Sequence, residues 1–119
     1  MSKKKDYLLK ALDWISKRST LTVKAKIDGY DAPKIFTNQS TQEEVQADIS
    51  FVTQGGAKSF TEIALISDSP QKLVTRWKLL STLASLKHGK LHLFAPRGHK
   101  MFTQNLIERY NISAVIHSV

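Results

Sequence analysis

The sequence predicts an α/β domain in which a central mixed sheet of five strands lies between helices, a three-layer α/β/α arrangement. Three observations lead to this prediction: a glycine-centred pair of strand-like runs in mid-chain, two helix-linked strands after it, and a length of 119 residues. A chain of this length can bury one hydrophobic core and is too short for two ordinary domains. We therefore expect residues 1–119 to form a single domain.

The composition excludes several classes of function. The chain has no cysteine, which excludes disulfides, cysteine-ligated zinc, iron–sulfur clusters and thiol catalysis and fits a reducing cytoplasm. Lys10 and Asp13 interrupt the apolar run that follows the first lysines, so this run is neither a signal peptide nor a membrane span. We expect a soluble cytoplasmic protein with no membrane partner, and the sequence leaves open whether it forms a homodimer.

The net charge of +8 is unevenly distributed along the chain. Residues 1–39 contain nine Lys/Arg and four Asp/Glu, residues 40–69 contain one and five, and residues 70–119 contain eight and one, which gives +5, −4 and +7. An acidic segment between basic flanks is what a cation site surrounded by a polyanion-binding surface requires. This pattern favours a nucleic-acid partner, although solubility alone can produce such a balance.

Periodicity predicts the first elements. Apolar residues recur at helical spacing over Lys5–Arg18 and alternate with polar residues over Leu21–Ile27, which indicates an amphipathic helix and then a half-buried strand. A brief extended piece, Lys34–Phe36, precedes a polar loop over Thr37–Glu44. We interpret Trp14 as a core or interface residue rather than a platform for base stacking.

A β-hairpin over Val45–Ser67 organises the middle of the chain. Its two runs of strand-forming residues are separated by Gln54-Gly55-Gly56-Ala57-Lys58, and adjacent glycines supply the positive φ angles of tight hairpin turns. Asp48 and Glu62 stand equally far before and after Gly55, so we expect them opposite each other. Buried carboxylates need compensation, and a divalent cation, a nearby lysine or exposure on a polar strand face would each provide it.

The second half of the chain predicts two helix-linked strands. Ser67-Asp68-Ser69-Pro70 is typical of a helix start, and the long helix that follows ends at His88-Gly89. Its apolar stripe is interpreted as core. A strand over Lys90–Ala95, a helix over Met101–Tyr110 and a last strand over Ile112–Ile116 complete the chain.

A basic loop, Pro96-Arg97-Gly98-His99-Lys100, follows the fourth of the five predicted strands. Binding crevices in α/β sheets gather beyond the carboxyl ends of parallel strands. Arg97 and Lys100 are therefore candidate phosphate contacts, with plain solvation as the alternative. The four histidines of the chain lack the spacing of a metal site.

The element order αβββαβαβ, with an acid on the second strand and another on the third, resembles the PD-(D/E)XK nuclease superfamily, whose fold is called restriction-endonuclease-like. The resemblance covers essentially the whole chain. Asp48 matches the first acid, although Ala47 precedes it where the family often has proline. Glu62 matches the second acid, but Ala64 stands where the family has its catalytic lysine.

The resemblance implies a site at which Asp48 and Glu62 hold Mg²⁺ or Mn²⁺ and hydrolyse a phosphodiester, with DNA as the expected substrate class. Because Ala64 replaces the family lysine, a substitute amine would have to come from elsewhere. Lys72 and Lys78 on the following helix are the nearest candidates, and Lys58 beside the hairpin turn is a weaker one. A metal is needed in such chemistry because it lowers the pKa of water and stabilises charge on the phosphoryl oxygens.

Two further residues are candidate nucleic-acid contacts together with Arg97 and Lys100. Lys58 lies beside the hairpin turn, and Gln71 resembles a polar residue that some members of the superfamily place near the start of the helix. Three functions stay open at this point: a divergent metal-dependent nuclease, a catalytically silent binding module of the same fold, and a small α/β domain whose basic surface serves protein contacts.

Overall fold

The structure is a computed structural model that describes residues 3–18, 20–66 and 69–119. In these ranges the chain forms three helices and seven strands. In chain order they are α1 (Lys3–Ser16), β1 (Thr20–Ala25), β2 (Ile35–Thr37), β3 (Glu44–Gln46), β4 (Ile49–Thr53), β5 (Lys58–Ile63), α2 (Pro70–Leu86), β6 (Leu91–Ala95), α3 (Lys100–Arg109) and β7 (Val115–Ser118).

Five of the strands form one mixed sheet in the order β1-β4-β5-β6-β7. Strands β1, β4 and β5 are antiparallel neighbours, whereas β5, β6 and β7 run parallel. Helix α2 connects β5 to β6 and helix α3 connects β6 to β7, as the long crossovers between parallel strands require. The prediction of a mixed five-stranded sheet with helices is confirmed.

The helices cover both faces of the sheet. The core on the α1 face, which we call the α1-side core, contains Leu8, Ala11, Leu12, Ile15, Ile49, Phe51, Ile63 and Phe94. The core on the opposite face, the α2-side core, contains Phe60, Val74, Trp77, Leu80, Ala84, Leu91, Leu93 and Leu106. Successive strand residues point to opposite faces, and β5 and β6 therefore contribute to both cores. One chain thus buries two apolar layers on a single sheet.

Strands β2 and β3 correct the predicted element order. They pair with each other in a separate antiparallel sheet, with Phe36 opposite Val45. Phe36 packs edge-on against Phe60 with a centroid separation of 5.7 Å, and Val45 is buried in the α2-side core. The expected extended piece Lys34–Phe36 corresponds to β2, but the predicted first arm of the hairpin, which begins at Val45, is divided. Val45 and Gln46 belong to β3 and pair with β2, and the arm that pairs with β5 begins at Ile49.

Several element boundaries differ from the predicted ones by a few residues. Strand β7 covers Val115–Ser118 rather than Ile112–Ile116, because Ile112 is buried in the α2-side core directly after α3 and before the strand begins. The Ser67-Asp68 part of the predicted helix start lies outside the described residues, while Pro70 is the first residue of α2 as expected. None of the helices in the described ranges is long and apolar enough to cross a membrane.

Gly89 fixes the close approach of the turn after α2 to the start of β5. A Cβ atom at this position would lie 1.6 Å from the backbone oxygen of Lys58. The Gly89 N–H also donates to the Ala84 carbonyl at 2.8 Å, which closes the end of the helix. Only a residue without a side chain fits between these two backbone segments.

We predict that Gly89→Ala destabilises the fold because the new methyl group must push two backbone segments apart. The free energy of unfolding, measured by urea denaturation, should fall by about 1–3 kcal/mol, the usual cost of overpacking. Gly55→Ala is the matched control, since the nearest atom to its Cβ would be 4.0 Å away. Equal stability of the two variants would contradict the close approach.

Candidate functional site

The register of the hairpin brings Asp48 and Glu62 opposite each other. Ile49 pairs with Thr61, and the turn is closed by the Thr53 N–H, which donates to the Ala57 carbonyl at 2.9 Å. Strand β4 begins at Ile49, so Asp48 lies immediately before the strand rather than within it. The predicted placement across the hairpin is confirmed.

Each carboxylate accepts a hydrogen bond from the backbone of the opposite arm. The Asp48 N–H donates to Glu62 Oε2 at 3.0 Å, and the Ile63 N–H donates to Asp48 Oδ2 at 2.9 Å. Both side chains are nearly inaccessible, with 1% of Asp48 and 3% of Glu62 exposed. Burial of a charge is costly without partners, and these reciprocal bonds provide part of the compensation.

Arg76 of α2 provides the compensation for Glu62. Its Nε donates to Oε1 at 3.0 Å and its Nη2 donates to Oε2 at 2.9 Å, a bidentate contact. The same Nη2 donates to the Gln46 carbonyl at 2.7 Å. A guanidinium matches a carboxylate in this two-pronged geometry better than any other side chain does. Arg76 therefore joins α2 to the hairpin and to the strand that precedes it.

Two lysines provide the compensation for Asp48. Lys4 Nζ of α1 lies 3.0 Å and Lys26 Nζ lies 3.4 Å from Oδ1. The Lys26 N–H also donates to the Asp48 carbonyl at 3.0 Å, so Lys26 is the neighbour of Asp48 across the β1–β4 pair.

The carboxyl of Asp48 lies at the base of an open groove of about 340 Å³. Its charged lining consists of Lys4, Lys5 and Lys26 together with Asp48 and Asp28. The lysines are partly accessible, with 39% of the Lys4 side chain and 35% of the Lys26 side chain exposed. We call this feature the lysine groove. The charges of these five residues sum to +1. The buried carboxylate of Asp48 thus holds the ammonium groups of Lys4 and Lys26 at a solvent-accessible surface.

The environment shifts the proton affinities of the Glu62–Arg76 pair. Burial raises the pKa of Glu62, the negative charge of Asp48 raises it further, and the Arg76 contacts oppose both effects. Burial also acts to lower the pKa of Arg76, but the hydrogen bonds and charge of Glu62 outweigh it and the net direction is upward. Arg76 is therefore cationic at neutral pH and favours the carboxylate form of Glu62.

Protein donors already occupy most of the carboxylate oxygens that were expected to bind a metal. Mg²⁺ requires oxygen ligands at about 2.0–2.1 Å in near-octahedral geometry, whereas Glu62 Oε1, Glu62 Oε2 and Asp48 Oδ2 already accept hydrogen bonds from the protein. Bidentate binding of Mg²⁺ or Mn²⁺ by Glu62 would require Arg76 to leave it.

The lysines expected to replace the missing catalytic amine lie on α2 without an ion pair to either acid in the described part of the chain. Lys72 is exposed one helical turn before Arg76. Lys78 is also exposed, and its Nζ lies 5.7 Å from the centroid of the Tyr110 ring. Their assignment as catalytic residues stays a prediction, while Arg76 occupies the position beside Glu62.

The expected nucleic-acid contacts lie at two ends of the sheet. Arg97 and Lys100 are exposed after the carboxyl end of β6, the same end at which the parallel neighbour β5 carries Glu62. Lys58 is exposed at the opposite end, as the first residue of β5. Gln71 is exposed at the start of α2, and its Nε2 donates to the Tyr110 hydroxyl at 3.0 Å.

Sequence reasoning named a nearby lysine as one possible partner of the acids, which is confirmed for Asp48, but it did not identify Lys4, Lys26 or Arg76 as the cations. A signal for Arg76 exists, because it is three residues after Leu73 and four before Leu80 and so interrupts the apolar stripe of α2. A cation on such a stripe requires a buried partner. Lys4 and Lys26 carry no comparable signal, since their proximity to Asp48 depends on the packing of α1 and on the pairing of β1 with β4.

We predict that Arg76→Met destabilises the protein by about 3–5 kcal/mol at neutral pH, because it leaves a buried carboxylate without its partner. Urea denaturation measures this loss. Lys72→Met, on the same helix and exposed, should change stability by no more than about 0.5 kcal/mol. The double variant Glu62→Gln/Arg76→Met should lose less than Arg76→Met alone, since no uncompensated charge is left.

The stability of the single variant Arg76→Met should depend on pH in a defined direction. Without Arg76 the pKa of Glu62 rises further, so the folded state takes up a proton that the unfolded state does not hold, and this uptake favours folding as pH falls. The stability difference between wild type and Arg76→Met should therefore shrink on acidification from neutral pH. A difference that stays constant would mean that Glu62 is not the group destabilised by the loss of Arg76.

Comparisons of the chain with protein families, with curated proteins and with solved structures found no match.

Proposed function

We propose that this chain is a catalytically silent member of the restriction-endonuclease-like fold that binds DNA through a basic surface around the lysine groove. One observation carries the proposal: the acids expected to hold a catalytic metal are held instead by Arg76, Lys4 and Lys26. The cations come from two helices and a loop that follows β1, so compensation of these acids is a property of the whole fold.

The topology supports the fold assignment. An antiparallel meander continues into parallel strands linked by helices, with the acids at the hairpin and at the end of β5. Strands β2 and β3 are an insertion between the first two strands of the main sheet. With that insertion set aside, the order of helices and main-sheet strands is the one on which the resemblance rests.

The chemistry of the site supports binding rather than hydrolysis. A metal in a nuclease both neutralises charge and generates the nucleophile by lowering the pKa of a bound water. Arg76 and the lysines replace the positive charge of a metal, but a guanidinium cannot generate hydroxide from water. Ala64, at the position of the family lysine, is fully buried in the α2-side core and has no group that orients a nucleophile.

The charge distribution supports a polyanion as partner. Asp48 and Glu62 are buried, so the acidic segment exposes fewer negative charges at the surface than its formal count suggests. Lys4, Lys5 and Lys26 line the groove over Asp48, and the loop containing Arg97 and Lys100 lies at the same end of the sheet as Glu62. Phosphate contacts by such residues give affinity without sequence readout.

Metal-dependent hydrolysis is the second candidate function, and one observation favours it. The partners of Asp48 Oδ1 are two partly exposed lysines, Lys4 and Lys26, and Asp48 lines the lysine groove. A carboxylate oxygen held by mobile surface ammonium groups is able to exchange them for another cation. This function needs Arg76 to release Glu62 so that a second acid becomes available.

We predict that duplex DNA binds with strong salt dependence in a fluorescence anisotropy titration. If about six phosphates are neutralised, log K falls against log salt with a slope of about −5. Lys5→Met should weaken binding and reduce the magnitude of that slope by about 1, because Lys5 lines the groove without serving as a partner of Asp48. Lys87→Met is the control, because Lys87 is exposed beyond the C-terminus of α2, at the other end of the helix from Gln71.

Two outcomes of this experiment count against the proposal. Absence of binding at low salt would contradict DNA recognition and favour protein contacts as the role of the basic surface. Cleavage of the DNA by wild-type protein in Mg²⁺ or Mn²⁺ that is abolished in Glu62→Ala would contradict catalytic silence and establish the second candidate. Intact DNA in both proteins agrees with a binding role.

A further inference from the structure

A pair of histidines joins the last two strands on the α1 face of the sheet. His92 of β6 and His117 of β7 approach with Nδ1 of the first 2.9 Å from Nε2 of the second. Their rings are nearly coplanar, with an interplanar angle of 24° and a centroid separation of 5.2 Å. The nitrogens therefore meet edge to edge, as in a linear N–H···N hydrogen bond.

This contact holds a single proton between the two nitrogens. A neutral imidazole has one nitrogen that donates and one that accepts, whereas an imidazolium donates from both. One ring must donate and the other must accept, so the bond survives only while at least one histidine is neutral. Protonation of both rings would place two N–H groups against each other.

Trp14 of α1 covers the pair. Its ring centroid lies 5.4 Å from that of His92 and 4.6 Å from that of His117. The Arg18 guanidinium lies 4.2 Å from the Trp14 centroid, and the Phe94 ring stacks on His117 at 4.6 Å. The histidine pair is thus the surface on which the C-terminal end of α1 rests.

Trp14 also lines two open grooves. One groove, of about 450 Å³, is lined by Trp14, His92 and the hairpin turn. The other, of about 390 Å³, is lined by Trp14, His117 and α1. Displacement of the Trp14 ring would join them into one cleft between α1 and the parallel strands.

The charged surroundings are predominantly cationic. The titratable and charged residues that line the two grooves beside the histidine pair are Lys10, Asp13, Lys17 and Arg18 from α1 and its end, and His88 and Lys90 from the turn before β6. Asp13 is the acid in this set, and it already pairs with Lys17 at 3.1 Å. An added positive charge on the pair would therefore meet more repulsion than attraction.

Burial and these charges hold the pair neutral at physiological pH. Burial lowers the pKa of His92 to about 4, with contributions from His117, Lys90 and Arg18. Burial and then Arg18 lower the pKa of His117. Because an unfolded histidine titrates near 6.5, the folded state loses stability as pH falls from there toward about 4.

We propose that the His92–His117 pair is an acid-sensitive seam, that is, a contact between α1 and the sheet that holds Trp14 in place while at least one of the two rings is neutral. The seam releases Trp14 when both rings are protonated. The rest of α1 stays attached, because Leu8, Ala11, Leu12 and Ile15 are buried in the α1-side core and Lys4 is tied to Asp48. Acid thus opens a cleft at one end of α1 without unfolding the domain. The seam acts independently of DNA binding.

An NMR titration of wild-type protein tests the proposal and contains its own reference. The indole N–H of Trp14 should shift together with the ring signals of His92, at a midpoint near the His92 pKa of about 4. The indole N–H of Trp77, fully buried in the α2-side core, should stay in place. Assignment of the two indoles comes from Trp14→Phe. A Trp14 signal that does not move while the histidines titrate would contradict the proposal.

Variants separate the seam from general acid effects. The double variant His92→Gln/His117→Gln removes both titrating rings, so the shift of Trp14 should be lost. His88→Gln is the matched control, since His88 is exposed and lines the same groove as His92, and it should leave the shift unchanged. Persistence of the shift in the double variant, or a joint shift of Trp77 in wild type, would contradict the proposal.

Discussion

Two carboxylates buried side by side at the end of a hairpin are the constraint on which this structure depends. Their mutual repulsion and their loss of water would each oppose folding. The protein compensates with backbone N–H groups of the hairpin and with cations from α1, the end of β1 and α2. Three separate segments must therefore converge on one point, which fixes how the helices are placed around the sheet.

This constraint also links the hairpin turn to the site. The turn at Gly55 and Gly56 determines the register, and a slip by one residue would reverse the face of every side chain on one arm. Asp48 would then no longer meet Ile63, and Glu62 would lose either Arg76 or the Asp48 N–H. The glycine turn is thus a part of the electrostatic arrangement, although it lies at the other end of the hairpin.

The features that the sequence predicts well are those with local causes. The hairpin, its turn and the opposition of Asp48 and Glu62 follow from residues close together in the chain, and they are confirmed. The features it misses arise from packing between distant segments. Strand β3 pairs with β2 across a polar loop, and Lys4 and Lys26 meet Asp48 only because α1 and β1 flank the hairpin. The contact of Arg76 is partly predictable. Its place on the apolar stripe of α2 indicates that it pairs with a buried acid, but the sequence does not identify that acid as Glu62.

The role of Arg76 is open to direct measurement through the NMR signal of its Nε–H during titration with millimolar Mg²⁺. If Arg76 takes the place of a metal at Glu62, this proton exchanges slowly with water and its signal does not move as Mg²⁺ is added. Loss of the signal, in step with shifts of the Asp48 and Ile63 amides, would mean that the cation displaces Arg76 and that the acids form a metal site.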